Sequence, residues 1–574
     1  MRRAGLISIA CLLAAASAPA AACADNPAEE PPFGGQMPPP LVRPASATKP
    51  PPGFRLSARR AIAIAAATSV VADERTDQGR LRPVAFERGR REWQIEFFAG
   101  SAAGREQVAQ VIIDDRTGTV LEAWSGTQVT VKLARGYSGA IAQLVNTPYV
   151  WLPLCVLFVA PFFDPRRPFR LLHLDLLVLL GLGVSLYFFN RANIRASVAL
   201  IYPVLGYVFV RMLIAGLRPR ERRGPLIPFV RVRWLAVAAV LLAGGRIALN
   251  VADSHVIDIG AAGVIGADRV EHGQPLYNGG FSEGLPVRGD VYGPFNYLAY
   301  VPFEAAFPFE GEWDSLPAAH GAAIAFDLLT ALGLLALGRR LRAGPDGGAL
   351  GAAMAFAWLA YPFTLYTMNA NANDSLVALT IVGALLALAS PVGRGVMVAL
   401  GAAAKFGTAA LAPLFATGTG ERRLRSTILF TAAFLAVLAA LFLPFVPHGG
   451  PRELYDRTLG YQASRSSPFS VWGLAPSLDF LRGYVRGAAI ALAVAVAFHP
   501  RTKSALQVSA LAAAVIVAIQ VGATHWFYFY VVWFLPAMLA AAFATERVIA
   551  PVRVRREKPA IRAISSPAAP ARAS

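Results

Sequence analysis

Residues 427–446 read TILFTAAFLAVLAALFLPFV, twenty positions in a row without a charged side chain. An α-helix rises 1.5 Å per residue and needs roughly 20 apolar residues to cross the hydrocarbon of a bilayer. This stretch is therefore expected to span a membrane. Similar runs recur from Tyr149 onward, and spans are expected near 148–163, 171–189, 197–216, 234–250, 318–338, 349–367, 376–390, 427–446, 486–499, 505–523 and 527–545. Composition agrees. Of 574 residues only 16% are charged, against about 25% in ordinary soluble chains, and the mean hydropathy is +0.48. The fold class expected is an all-α polytopic membrane protein of about eleven transmembrane helices, one re-entrant segment and a small α+β domain outside the membrane.

A net charge of +19 would suit nucleic acid if the basic residues formed one face. Here they sit in short loops between apolar runs: DPRRPFR at 164–170, LRPRERRGPLIPFVRVR at 217–233 and GRRLRAG at 338–344. That is the positive-inside bias, and no nucleic-acid partner is expected. The segment 251–317 has ten acids against Arg269 and Arg288, so it is placed outside. Only three cysteines occur, Cys11, Cys23 and Cys155, with neither disulfide nor zinc spacing.

Residues 1–24, MRRAGLISIACLLAAASAPAAACA, have a basic start, an apolar stretch and small residues after it, the pattern of a secretory signal. Cys23 follows PAAA, a lipobox without its usual leucine. Residues 25–53 are proline-rich and read as a stiff tether. In 54–130, SARRAIAIAAATSVVADE predicts one helix with Ser57 as N-cap. REWQIEFF alternates like a half-buried strand, and QVAQVIIDDRTGTVLEAWSG predicts a hairpin whose turn holds Asp114 and Asp115. The W-Q-I-E-F and V-I-I-D-D-R-T-G-T-V-L-E-A-W segments resemble a PepSY-like domain. Spans follow at 146–233 and 234–546, then a basic tail at 547–574, expected to be disordered and cytoplasmic.

The stretch 396–416 needs separate treatment because Lys405 sits at its centre. A lysine at mid-bilayer costs about 2.5–3.5 kcal/mol or more. A full crossing would also reverse the sidedness of GERRLRS and of the basic tail. A pair of half-helices turning near Lys405 to Gly407 removes both difficulties, and broken segments of this kind need protein or water around them.

Several residues at the span ends, in the loops and in one span are candidates for chemistry. Asp253 and Asp258 lie just beyond a span, before a helical run from Ile257 to Glu271. DVYGPFNYLAYVPFE, 290–304, is rich in rings that suit a membrane interface or the apolar face of a sugar. Arg457 and Arg465 lie outside, against the positive-inside trend, and suit phosphate or lipid headgroups. His525 opens the last span, and Asp327 lies inside another, where an acid is expected to have a partner or a function. MNANANDS, 368–375, reads as an outer polar loop without an evident role. No Walker loop, dinucleotide motif or metal cluster is present in the sequence.

Taken in order, these residues resemble the GT-C class of membrane glycosyltransferases, particularly glycosyltransferase family 87, over about Trp234 to Glu546. Asp258 opens a segment ending in G-Q-P-L-Y, Gly273 to Tyr277. Tyr292-Gly-Pro-Phe-Asn-Tyr is similar to the family's aromatic-Pro-Pro segment, with Gly293 in place of the first proline. Ala404-Lys405-Phe406 followed by Pro413 resembles its Lys-aromatic-Pro segment, and His525 falls where two histidines often stand. The resemblance implies transfer of a hexose, possibly mannose in the family's pattern, from a polyprenyl-phosphate-linked donor to an extracytoplasmic glycan or glycolipid acceptor at the cell membrane. It implies Asp258 as general base. Lys405, Arg465 and His525 would stabilise the leaving phosphate, while Tyr292, Asn296, Tyr297 and Asp253 line the substrate groove. Neither a metal nor another cofactor is implied. The alternatives are a membrane transporter or lipid flippase, or a non-catalytic sensor carrying the PepSY-like unit.

Overall fold

A computed structural model describes residues 41–88, 91–99, 106–125, 142, 144–190, 194–219, 224–278, 281, 289–310, 316–419, 424–464, 467 and 469–546. The leader, Cys23, most of the proline-rich tether, Arg465 and the basic tail lie outside them.

The N-terminal unit has its own core. Helix α1 (Ala58–Ala66) is capped by Ser57 and buries Ala58, Ala61 and Ala65, one stripe of a helix. The single helix expected over 57–74 is two. Thr68 adopts an extended conformation and its hydroxyl donates to the Ala65 carbonyl at 2.7 Å, so α2 (Ser69–Gln78) starts afresh. Strands β1 (Leu41–Val42), β2 (Arg82–Arg88), β3 (Glu92–Ala99), β4 (Glu106–Asp114) and β5 (Val120–Ser125) form an antiparallel sheet in sequence order. The β4–β5 hairpin pairs Val111 with Ala123. Asp114 is a turn residue, accepting from the Thr117 amide and hydroxyl, each at 2.7 Å. Asp115 is instead a buried brace. It accepts from the Arg55 and Leu56 amides at 2.6 and 2.9 Å and from the Trp93 indole at 3.0 Å.

The rest is helical. Six helices are long and apolar enough to cross a membrane: α4 (Leu171–Phe189), α5 (Ile194–Leu217), α6 (Val232–Ala252), α8 (Pro317–Leu341), α14 (Leu424–Phe442) and α15 (Asp479–Phe498). A seventh candidate is a pair, α9 (Gly344–Ala360) and α10 (Pro362–Asn369), bent by 58°. Pro362 has no amide to donate, which permits the break. The other expected spans, and the segment 396–416 expected to be re-entrant, correspond to shorter apolar helices. These are α3 (Pro148–Val159), α11 (Asp374–Leu386), α12 (Pro391–Ala404), α13 (Ala412–Thr417), α16 (Ala505–Val521) and α17 (Val531–Phe543). Between α6 and α8 lies α7 (Asp258–Glu271), and α16 and α17 are among the most buried elements.

Asp327 has its partner. The Arg246 guanidinium meets it at 2.7 and 3.2 Å, the Trp358 indole donates to it at 3.0 Å, and Arg246 also donates to the Leu359 carbonyl and Thr364 hydroxyl.

The loops sort into two groups. Arg170 pairs with Glu546 at 3.0 Å and donates to the Pro225 carbonyl, and Arg342 donates to the Ala544 carbonyl. At the other end Asn369 donates to the Asp253 carbonyl, Arg457 pairs with Asp290, and Ser470 donates to the Thr524 carbonyl.

The segment around Lys405 turns back on itself. Helix α12 ends at Ala404, Lys405 is extended, a 3-10 turn covers Phe406–Leu411 and α13 follows. Arg394, near the start of α12, donates to the Phe415 carbonyl at 2.8 Å, near the end of α13. Thus the two feet of the hairpin touch while Lys405 sits at its tip. The foot also receives Lys503, which donates to the Thr417 hydroxyl at 3.4 Å.

Candidate active site

Helix α7 begins with Asp258 in its first turn, where a negative charge faces the positive end of the helix dipole. Its glycines let other elements close in. A Cβ on Gly263 would lie 2.6 Å from the Tyr300 ring, and one on Gly266 would lie 2.2 Å from that of Tyr297. Tight packing of the 290–304 segment on α7 brings Tyr292 to the same cavity as Asp258. The hairpin tip brings Lys405 from below, and the stretch between α16 and α17 brings His525.

These four side chains share one cavity of about 420 Å³, within the usual range for small-ligand sites. Asp258, Tyr292, Lys405, Gln462, Arg486 and His525 are among its polar lining. Ile257, Val291, Phe406, Ile490, Ile519 and Trp533 are among its apolar walls. A lining that mixes charged groups with a larger number of apolar ones suits an amphiphile.

Asp258 is half-buried and has neither a hydrogen bond nor an ion pair among the described residues. Lys405 is only 8% exposed. Its ammonium lies 3.6 Å from Asp374 and 4.9 Å from the centre of the Tyr292 ring, with Tyr530 and Trp533 each at 6.0 Å. Lys405 therefore comes with a counter-ion that sequence reasoning missed. His525 is held through Nδ1 and the Ser467 hydroxyl at 2.8 Å, its ring against Phe469.

Three residues expected in the groove stand behind it. Tyr297 is wholly buried and donates to the Gly289 carbonyl at 2.7 Å, so it shapes the segment that carries Tyr292. Asn296 is wholly buried and its side-chain oxygen accepts from Asn373. Asp253 ends α6, and its carbonyl accepts from Asn369 at 2.7 Å. None of the three lines the cavity. Arg465 lies outside the described residues. Arg457 faces Asp290 at 2.7 Å and Glu453 at 2.8 Å, and its hydrogen bond holds the Glu453 carboxyl below the usual range.

Arg486 is the cation not foreseen. It lies in the first half of α15, where an arginine reads as an interfacial anchor. Its Nε donates to the Gly522 carbonyl at 2.9 Å, and the side chain lines the cavity. Asp374 was hidden in a run of small polar residues that looked like a loop. Both became visible only when distant segments met. Among the described residues no group of three or more His, Cys, Asp or Glu stands close enough to hold a metal.

Comparison with protein-family models, curated proteins and solved structures finds no match for this chain. The geometry of the cavity therefore carries the functional reading.

Proposed function

We propose that the chain is a membrane glycosyltransferase that moves a hexose from a polyprenyl-phosphate-linked donor to an extracytoplasmic acceptor. In this reading the short apolar helices complete about eleven crossings, and the α12–α13 hairpin is re-entrant. The N-terminal domain lies outside the cytoplasm and the tail inside, at the cell membrane. The observation that carries the reading is one cavity lined by a carboxylate without a partner among the described residues, Asp258, together with Lys405, Arg486, His525 and many apolar residues. Asp258 deprotonates the acceptor hydroxyl as its oxygen attacks the anomeric carbon. The bond from that carbon to the phosphate oxygen breaks, and the electron pair leaves on the lipid phosphate. Lys405, Arg486 and His525 stabilise charge where it develops. Apolar rings and aliphatic residues hold the first isoprene units.

A carrier is the second reading, supported by the 58° break between α9 and α10 and by a buried charge pair at a hairpin tip, features that transporters use around their sites. Membranes containing the full chain, incubated with radiolabelled polyprenyl-phosphate hexose and a mixed glycolipid acceptor fraction, separate the two. Transfer of label that is lost in Asp258→Asn supports the enzyme. Movement of label across the membrane without transfer supports the carrier, and full transfer by Asp258→Asn removes that residue from the reaction.

A further inference from the structure

The run Asn369-Ala370-Asn371-Ala372-Asn373-Asp374 links α10 to α11. Each of its four polar side chains is at most 1% exposed. Burying amides and a carboxylate inside an apolar bundle is costly unless each finds a partner. Here each side chain finds a partner in an element that borders the cavity, although the side-chain oxygens of Asn369 and Asn373 and one oxygen of Asp374 accept no hydrogen bond from the described residues. The Asn369 side chain donates to the Asp253 carbonyl at 2.7 Å. That of Asn371 donates to the His255 carbonyl at 3.1 Å and the Ser254 hydroxyl at 3.0 Å. The backbone joins in, with the His255 and Ile257 amides donating to the Asn369 and Ala370 carbonyls. This pins the strand-like stretch that delivers Asp258. Gly260 completes the fit, since a Cβ there would lie 2.4 Å from the Asn371 carbonyl oxygen.

The other half of the run holds the elements that carry Tyr292 and Lys405. Asn373 donates to Asn296, on the segment that carries Tyr292. Asp374 takes the Trp533 indole at 2.8 Å and faces Lys405 at 3.6 Å. Asn371 has φ of 50°, a left-handed conformation that only a few residue types adopt readily. Strain of this kind persists where the surroundings over-determine it, and it clusters at functional sites.

We propose that residues 369–374 are the positioning segment of the cavity, with Asn371 fixing where Asp258 stands and Asp374 fixing where Lys405 stands. The segment touches no reacting atom. It sets the separation of base and cation by holding two elements far apart in the chain. The inference rests on reading the cavity as the reaction site, and its test separates the two claims.

The test uses the full-length protein in detergent with its native cysteines replaced by serine. Asp258→Cys and Gly407→Cys, both at cavity-lining positions, are joined by bifunctional maleimides of graded length. With the native segment one length gives the dominant cross-link. Asn371→Gly, which keeps the positive φ at no steric cost, and Asp374→Asn, isosteric but uncharged, each lose that single optimum and spread the product over the series. Asp374→Glu restores a single dominant length. An unchanged optimum in both variants, at equal folded yield by size exclusion, overturns the proposal. If Asn371→Gly does not fold, Asp374→Asn decides alone. A parallel transfer assay, with cysteines at neither position, is expected to show kcat reduced about 100-fold in Asp374→Asn, KM changing far less, because small misplacements of reacting groups act on the chemical step. Wild-type membranes that transfer no sugar overturn the enzymatic reading, and the cross-link series still decides the positioning claim.

Discussion

Asp327 and Asp258 are both acids in an apolar bundle, and their surroundings give them different work. Asp327 is wholly buried and saturated by Arg246 and Trp358. Removing one partner of such a pair leaves a charge buried without compensation, at a cost of about 3–5 kcal/mol. Asp327→Asn is therefore expected to lower the thermal unfolding midpoint sharply in detergent, and pairing it with Arg246→Met is expected to recover most of the loss. Asp258→Asn should shift the midpoint far less, because no side chain depends on it among the described residues and only its interaction with the α7 dipole, about 0.3–1 kcal/mol, is lost. At the far end of α7, Glu271 shares a hydrogen bond with Glu304, which raises its carboxyl above the usual range, and the Asp268 carbonyl and carboxylate raise His272. Both folded values lie above the unfolded ones. The linked stabilisation is thus complete below the unfolded values and fades as pH rises through the folded ones. Amide exchange at 268–274 is expected to speed up, relative to the intrinsic rate, as pH rises from mildly acid to neutral.

At the scale of elements, the cavity depends on how closely the 290–304 segment approaches the hairpin. Gly293 has φ of −73°, which proline would accept, but a Cβ there would lie 2.1 Å from the Ala403 carbonyl oxygen. The contact leaves room only for glycine at this position. Gly293→Ala is expected to separate Tyr292 from Lys405, destabilise the fold by about 1–3 kcal/mol as overpacking does, and weaken binding of a short-chain prenyl phosphate measured by tryptophan fluorescence. Much of this level was legible in the sequence. Apolar runs gave most long helices within a few residues, although α15 begins at Asp479 rather than at the expected 486; Ser57 gave the cap of α1, and the charge of Lys405 predicted a break at 396–416. The helix break at Thr68, the buried role of Asp115 and the clamp at 369–374 were not legible. The last two depend on partners far along the chain, about which local periodicity carries no information, and the first on a single side-chain bond from Thr68 to Ala65 inside a run whose composition still favours helix. Among candidate site residues, Asp258, Tyr292, Lys405 and His525 meet on one cavity. Asn296, Tyr297 and Asp253 support it from behind, because buried amides and rings look the same in sequence whether they face a ligand or a neighbouring helix.

Over the whole molecule, the clustering of loops follows charge. The Arg-bearing loops expected inside reach one another through Arg170, Glu546, Pro225, Arg342 and Ala544. The acidic segment expected outside meets its own set through Asp253, Asn369, Asp290 and Arg457. The hairpin decides whether this separation holds along the chain. Its feet are joined by Arg394 and Phe415, and the foot at Thr417 meets Lys503, in the turn between α15 and α16. Helix α14 then leads from that foot to the opposite end, lying almost wholly on the exterior of the bundle where lipid would cover it. If the hairpin enters and leaves by the same face, Thr419 and Thr502 share a side and His448 lies opposite. In whole cells expressing single-cysteine variants, His448→Cys is expected to react with a membrane-impermeant maleimide, while Thr419→Cys and Thr502→Cys react only after permeabilisation. Labelling of Thr419→Cys from outside in intact cells would mean a full crossing with Lys405 in mid-membrane, and the sidedness of every later loop, the cavity included, would have to be reversed.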